Sequence, residues 1–245
     1  MNQQTTVAKM KSMRLHGMAD IYYTHVQDKL HSELTRDEYI AMLIQQEWES
    51  RLARKTTNLI KTARFRAMAD VKNIDYTADR GLDKNTYDRL ATLHFIDRKE
   101  NIIITGATGT GKSYLSQALG YQACIHLHKT KYYTMSSLFE QIQISKIQGS
   151  YHKLIKSIQS SQLLILDDFG LIPFDNITRQ AMMDIIEYKY DQSSLIITSQ
   201  IPINSWHELI GEGTIADAIL DRIIHSSHSI VLKGDSMRKR RKVGK

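Results

Sequence analysis

The chain has 245 residues, enough for one large domain or two small ones, and 42% of them are hydrophobic, an ordinary share for a globular protein. No apolar run approaches eighteen residues and the opening MNQQTTVAKMKSM has no apolar stretch, which argues against a membrane span and a secretory signal. A single cysteine, Cys124, excludes an intramolecular disulfide, disfavours a cysteine-based metal site and fits the cytoplasm. The net charge of +7 is unevenly placed: residues 1–99 carry +4, residues 100–232 carry −3 and residues 233–245 carry +6. Basic ends are the footprint of a polyanionic partner, although a charged tail can equally serve solubility.

Residues 5–31 contain no proline and one glycine, with Val7, Met10, Met13, Leu15, Met18, Ile21 and Tyr22 at irregular helical spacing. Thr35 and Glu38 then form a capping box. Ile40, Ile44, Trp48 and Leu52 come next at four-residue intervals, marking one face of a helix that runs to about residue 62. Its later half is basic, from Arg51 to Arg66, which reads as a solvated face or as a DNA- or partner-binding one. In residues 70–99 the Asp, Asn and Gly positions suggest turns, and Leu90, Leu93 and Phe95 are expected to start the packing of the second domain. The expected division is a helical N-terminal domain over 1–69, a junction over 70–99, a nucleotide domain over 100–234 and a basic tail over 235–245.

The stretch GATGTGKS at 106–113 organises the rest. A strand-like run, 101–105, precedes it and a helix-like run, about 112–127, succeeds it, the setting a phosphate-binding loop needs. Gly106, Ala107, Thr108, Gly109, Thr110 and Gly111 supply a turn whose backbone N–H groups cradle phosphate at a helix N-terminus. Lys112 reaches the β- and γ-phosphates of ATP, and the Ser113 hydroxyl is a ligand for Mg²⁺. Further strands are expected at 131–135, 163–167, 195–198 and 229–232. Helices are expected from Ser136 to about 146, at 150–160, from Asn176 to about 190, and at 205–210 and 215–225. This alternation predicts an α/β fold with a parallel five-stranded sheet.

The third strand ends in Asp167-Asp168, at the ligand edge of such a sheet. Asp167 is placed to hold Mg²⁺, and Asp168 to orient or deprotonate the attacking water. The fourth strand ends in Thr198-Ser199-Gln200, and either Ser199 or Gln200 can meet the γ-phosphate or the lytic water. Between residues 100 and 232 the only arginines are Arg179 and Arg222. Arg222 reads either as an arginine supplied to a neighbour's γ-phosphate or as half of a surface pair with Asp221.

The ordered set GATGTGKS, LLILDDFG, IITSQ, ILDRIIH and GDSMRKR resembles the AAA+ ATPases of the initiator and helicase-loader branch. Within that branch it is similar to the IstB family, ATPase helpers of insertion-sequence transposases. The likeness extends to the front end, MRLHGMADIY, and so spans about residues 1–240. The resemblance implies an AAA+ P-loop domain without a C-terminal helical lid. It implies Asp167 as the metal-site acid, Asp168 as the acid that activates water and residues 198–200 as the first sensor. It also implies Arg222 as a trans arginine finger and Arg238 as a nucleotide- or interface-sensing arginine. Asp-Asp departs from the commoner Asp-Glu, and Gln200 from the commoner sensor Asn. The family implies assembly as a homo-oligomer on double-stranded DNA with ATP, and activation of a cognate transposase.

Two groups are candidates for DNA contact. One is the segment 136–160, with Lys146, Lys153, Lys156 and Tyr151; the other is the tail, Arg238, Lys239, Arg240, Arg241 and Lys242. The rival readings are a replicative-helicase loader with a preference for single strands, a nucleotide-gated scaffold with negligible turnover, and, weakest, a metabolic kinase.

Overall fold

A computed structural model describes residues 2–27 and 34–237. They fall into two compact units, Met1–Asn58 and Leu59–Lys245. The first unit holds helices α1 (Gln3–Ser12) and α2 (His16–Gln27) and the greater part of α3 (Arg36–Ala63). Of the helical stretch expected over residues 5–31, the part to Gln27 is two helices, and residues 28–31 lie outside the described residues. Arg14 takes a left-handed backbone, φ +61°, which an α-helix of L-residues does not accommodate. The capping box forms as expected: Thr35 N–H donates to Glu38 Oε2 at 2.8 Å and Glu38 N–H to Thr35 Oγ1 at 3.3 Å. The four-residue ladder, however, runs along an outer face, for Ile40, Ile44, Trp48 and Leu52 are all exposed. The buried side is that of Leu43 and Glu47. There α2 comes so close that a Cβ on Gly17 would stand 2.7 Å from that of Ser50.

The second unit is built on five parallel strands: β1 (Asn101–Gly106), β2 (Thr130–Thr134), β3 (Leu163–Phe169), β4 (Ser194–Ser199) and β5 (Ser227–Leu232), in the order β2-β3-β4-β1-β5. Successive strand residues point to opposite faces, and where both faces are covered, in the central strands β1, β3 and β4, the sequence reads as an apolar run. Ile103, Leu164, Leu166, Leu195 and Ile197 pack on one side against Leu138, Ile158, Ile185, Trp206 and Ile219. These come from α7 (Met135–Ile147), α8 (Tyr151–Gln159), α9 (Asn176–Lys189), α10 (Trp206–Ile210) and α11 (Gly213–Ile224). Ile102, Ile104, Leu163, Ile165 and Ile196 pack on the other side, against α6 (Lys112–Ile125) and residues 69–96.

Leu90, Leu93 and Phe95 join the core as expected, and residues 70–99 hold helices besides turns. They contain α4 (Lys84–Ala91) and α5 (His94–Asp97), and Tyr87, Leu90, Phe95 and Ile96 are core residues. The turn-forming residues crowd the stretch before α4, where Asp83 accepts the Thr86 N–H at 2.7 Å and starts the helix. The cap of α7 is Thr134, which accepts from Ser137 N–H, rather than Ser136. Among the described residues no helical lid comes after β5, and no helix is long and apolar enough to cross a membrane.

Candidate functional site

β1 delivers the chain to the glycine-rich loop at the carboxyl edge of the sheet, and α6 begins inside the motif at Lys112. Gly109 and Gly111 have φ of +82° and +100°, a region costly for any residue with a Cβ. The Thr110 hydroxyl donates to the Ala107 carbonyl at 2.9 Å and pins the turn, while Ala107 and Thr108 are exposed. Lys112 is 5% exposed, with Nζ donating to the carbonyls of Gly106 (2.7 Å) and Ala107 (2.8 Å). Burial lowers its pKa, and the nearby Asp168 and Asp167 oppose that shift. The ammonium therefore sits at the loop, held where phosphate oxygens would meet it.

Asp167 is buried, and its carboxylate accepts three hydroxyls: Ser113 Oγ at 2.9 Å, Tyr132 Oη at 2.6 Å, and Thr198 Oγ1. β4 lies between β1 and β3, and pairs Thr198 with Ile104. A small polar side chain at that point lets the loop and the acid pair share one space. The hydroxyl of Ser113 beside the carboxylate of Asp167 is a pair of hard oxygen donors, the chemistry Mg²⁺ takes. The described residues hold no cluster of three or more His, Cys, Asp or Glu. Mg²⁺ would therefore draw its other ligands from phosphate and water, its usual habit at nucleotide sites.

Asp167 and its neighbour reach the same site because the strand is broken between them. The register steps from Leu166↔Ile197 to Phe169↔Ser199, so two aspartates oppose Thr198 alone. Asp168 takes a left-handed φ of +63° and donates its N–H to Thr198 Oγ1 at 3.2 Å. In a regular strand the two carboxylates would face opposite sides; the bulge turns both toward Lys112. Burial raises the Asp168 pKa, Asp167 raises it further, and Lys112, Arg66 and a hydrogen bond from Gln200 oppose the rise.

The alternatives at the end of β4 separate. Ser199 is fully buried and its hydroxyl serves the backbone, donating to Phe169 O at 2.7 Å and accepting from Ile201 N–H at 3.0 Å. Gln200 is the one that touches Asp168.

Arg222 lies in the last turn of α11, where its carbonyl accepts from Asn101 Nδ2 at 3.3 Å. Asn101 opens β1 and Gly106 closes it, so Arg222 is at the opposite edge of the sheet from its own phosphate loop. It pairs with Glu187 at 2.5 Å rather than with Asp221, and lies 5.9 Å from the Tyr190 ring centroid. Lys146, Lys153 and Lys156 are exposed on α7 and α8. Lys146 stands 5.0 Å over the ring of Tyr151, whose hydroxyl donates to Asp184 at 3.1 Å. Arg238, Lys239, Arg240, Arg241 and Lys242 lie outside the described residues.

Sequence reasoning missed several supporting groups. Tyr132 reads only as a strand residue until β2 is paired with β3. Gln117, one turn beyond Ser113, donates to the Ser113 carbonyl at 2.9 Å and accepts the N–H groups of Arg66 and Ala67 at 2.8 and 3.0 Å. Arg80 reaches the loop from 30 residues upstream. The only local signal for any of these is the i, i+4 spacing of Ser113 and Gln117.

Comparison with known proteins agrees with this geometry. Residues 8–244 match the family described as IstB-like ATP binding protein. An insertion-sequence ATP-binding protein of Sinorhizobium fredii is 37% identical over 234 residues, 96% of each chain. That of the element IS21 from Pseudomonas aeruginosa is 31% identical over 214 residues, 86% of this chain and 81% of its own. Among solved structures, DnaI superposes with a TM-score of 0.57 at 16% identity, covering 73% of this chain and 92% of its own. AMPPCP-bound DnaA from Aquifex aeolicus gives 0.58 at 18%, covering 74% and 56%. These two likenesses are of fold alone. With its phosphate loop joined to the Asp167–Ser113 pair and its match running almost end to end, the chain belongs to the IstB-like ATP-binding family.

Proposed function

We propose that this protein is an ATP-hydrolysing transposition helper that assembles on double-stranded DNA and stimulates a partner transposase. The observation that carries the nucleotide chemistry is the convergence of Lys112, Ser113, Asp167 and Asp168 on one edge of the sheet. The loop N–H groups and Lys112 bind the β- and γ-phosphates. Ser113 and Asp167 would hold Mg²⁺, which when bound neutralises charge on the phosphate oxygens. Asp168, its basicity raised by burial and by Asp167, takes a proton from the attacking water, and Gln200 orients that carboxylate. Arg222 of an adjoining copy supplies the finger; its place at the far edge of the sheet suits action on a neighbour and not on its own site. The exposed lysines of α7 and α8 and the basic tail contact DNA phosphates.

The transposition reading rests on the family and on the insertion-sequence relatives. The likeness to the DnaC helicase loader, TM-score 0.52 at 18% identity, speaks for a shared fold. ATP hydrolysis and particle size measured together test the proposal, with duplex DNA, single-stranded DNA or neither, for the wild type and Arg222→Ala. ATP and duplex DNA should jointly build large particles, and Arg222→Ala should lose roughly 10³-fold or more in turnover while still binding nucleotide. Stimulation by single strands alone would favour a loader, and a particle indifferent to DNA would end both readings.

A further inference from the structure

Arg80 is a cation built into the core beside the phosphate loop. It is 4% exposed. Its Nη1 donates to the Thr110 carbonyl at 3.0 Å and its Nη2 to the Asp75 carbonyl at 2.9 Å. Nε is buried and has no hydrogen-bond partner among the described residues. No carboxylate forms an ion pair with it among those residues: Asp75 lends its carbonyl, while its carboxylate is occupied by Thr77 at 2.6 and 2.8 Å. The main chain of Arg80 is fixed as well, its carbonyl accepting from Lys233 N–H at 2.9 Å just beyond β5. The guanidinium approaches Gly111 so closely that a Cβ at that position would collide with Nη1.

A buried arginine without a carboxylate in ion-pair contact is costly; burial lowers its pKa, and the nearby charge of Asp75 opposes that shift. Its geometry shows what it does. In a trans peptide the carbonyl and the next residue's N–H point in opposite directions. Anchoring the Thr110 carbonyl on Arg80 therefore turns the Gly111 N–H to the other side of the peptide. A charge-assisted hydrogen bond to the carbonyl also polarises that peptide and makes its N–H a stronger donor.

We infer that Arg80 is a positioning residue for polyphosphate binding, orienting and polarising the Thr110–Gly111 peptide toward the phosphates and supplying a second positive charge beside Lys112. The inference rests on the reading of this loop as the ATP site. It assigns a role in that site to residues 75–80, a segment outside every motif of the sequence.

The test is calorimetric binding of ATP, ADP and inorganic tripolyphosphate to the full chain, as wild type, Arg80→Met and Arg80→Lys, at two salt concentrations and with melting curves. Arg80→Met should weaken ATP and tripolyphosphate alike, by roughly 10- to 30-fold, and ADP less, because the lost interaction is with phosphate charge. Its affinity should also depend less on salt. Arg80→Lys, which keeps the charge but not the fork, should recover a good part of the loss. Equal weakening of ATP and ADP, or tripolyphosphate binding that is spared, would overturn the inference. So would Arg80→Met binding ATP as the wild type does. Should Arg80→Met not fold, Arg80→Lys decides alone: a loss graded with phosphate number supports the inference and an ungraded one removes it. A wild-type chain that binds none of the three would instead strike the ATP site itself.

Discussion

The residue with the most chemistry is Asp168. Its left-handed backbone is strained for a residue with a Cβ, and the strain is what brings a second carboxylate to the loop. Asp168→Asn keeps the side chain's shape and removes the proposed base. Turnover should fall by roughly 10²–10⁴-fold with ATP affinity little changed, checked by phosphate release beside equilibrium binding. Lys189 is a second unusual residue, at the other edge of the sheet. It is buried, donates to Ser161 Oγ at 2.8 Å, and burial pushes its pKa down to about 7. In the unfolded chain a lysine keeps its proton up to about pH 10.4. Between these values the unfolded state binds more protons, so this residue's contribution to stability rises with pH from about 7 upward. Urea melts at pH 7 and pH 9 should show that rise in the wild type and a flatter profile in Lys189→Met.

At the scale of elements, helix ends and strand ends decide what reaches the site. α9 starts with a reciprocal cap, Asp175 accepting the Thr178 N–H at 2.7 Å and Thr178 Oγ1 accepting the Asp175 N–H at 3.0 Å. Gln143 of α7 donates to the same carboxylate at 3.1 Å, so the cap also joins two helices. Asp175→Ala should cost about 1–2 kcal/mol, read as a lower denaturant midpoint with an unchanged slope. Local cues of this kind are legible where they are complete. The Thr35–Glu38 box and the strand–loop–helix at 101–125 stand where the sequence puts them. Asp83 reads as a turn residue, although it starts a core helix; an aspartate signals both a turn and a helix cap, and only the residues after it distinguish the two. The ladder of Ile40, Ile44, Trp48 and Leu52 misleads in another way. Its period correctly reports a helix, but a period cannot say which side of the helix is covered.

At the scale of the molecule, among the described residues the hydrogen bonds that shape the phosphate loop come from the second unit: Arg80, Gln117 and Asp167, with Met237 N–H donating to the Gly109 carbonyl at 2.9 Å. A fragment of residues 59–245 should therefore bind ATP with an affinity within a few-fold of the full chain, measurable by calorimetry. If the basic tail grips DNA, removing residues 238–245 should lower affinity and flatten the dependence of log K on log salt. Five lost phosphate contacts correspond to a slope change of about 4.5.

The sequence by itself determined the phosphate-binding loop and the fold class. A phosphate loop is contiguous, its spacing is dictated by the ligand, and strands covered on both faces show as apolar runs wherever they lie. Tertiary structure alone decided the partners of those motifs. Tyr132 and Thr198 meet Asp167 across 35 and 31 residues, and Arg80 meets Thr110 across 30. Contacts over such distances are set by strand order and by a bulge at Asp168, and neither leaves a periodic trace in the chain. Ser199 and Gln200 are alike as polar residues after a strand. Folding buries the hydroxyl of one in backbone bonds and sets the amide of the other on Asp168.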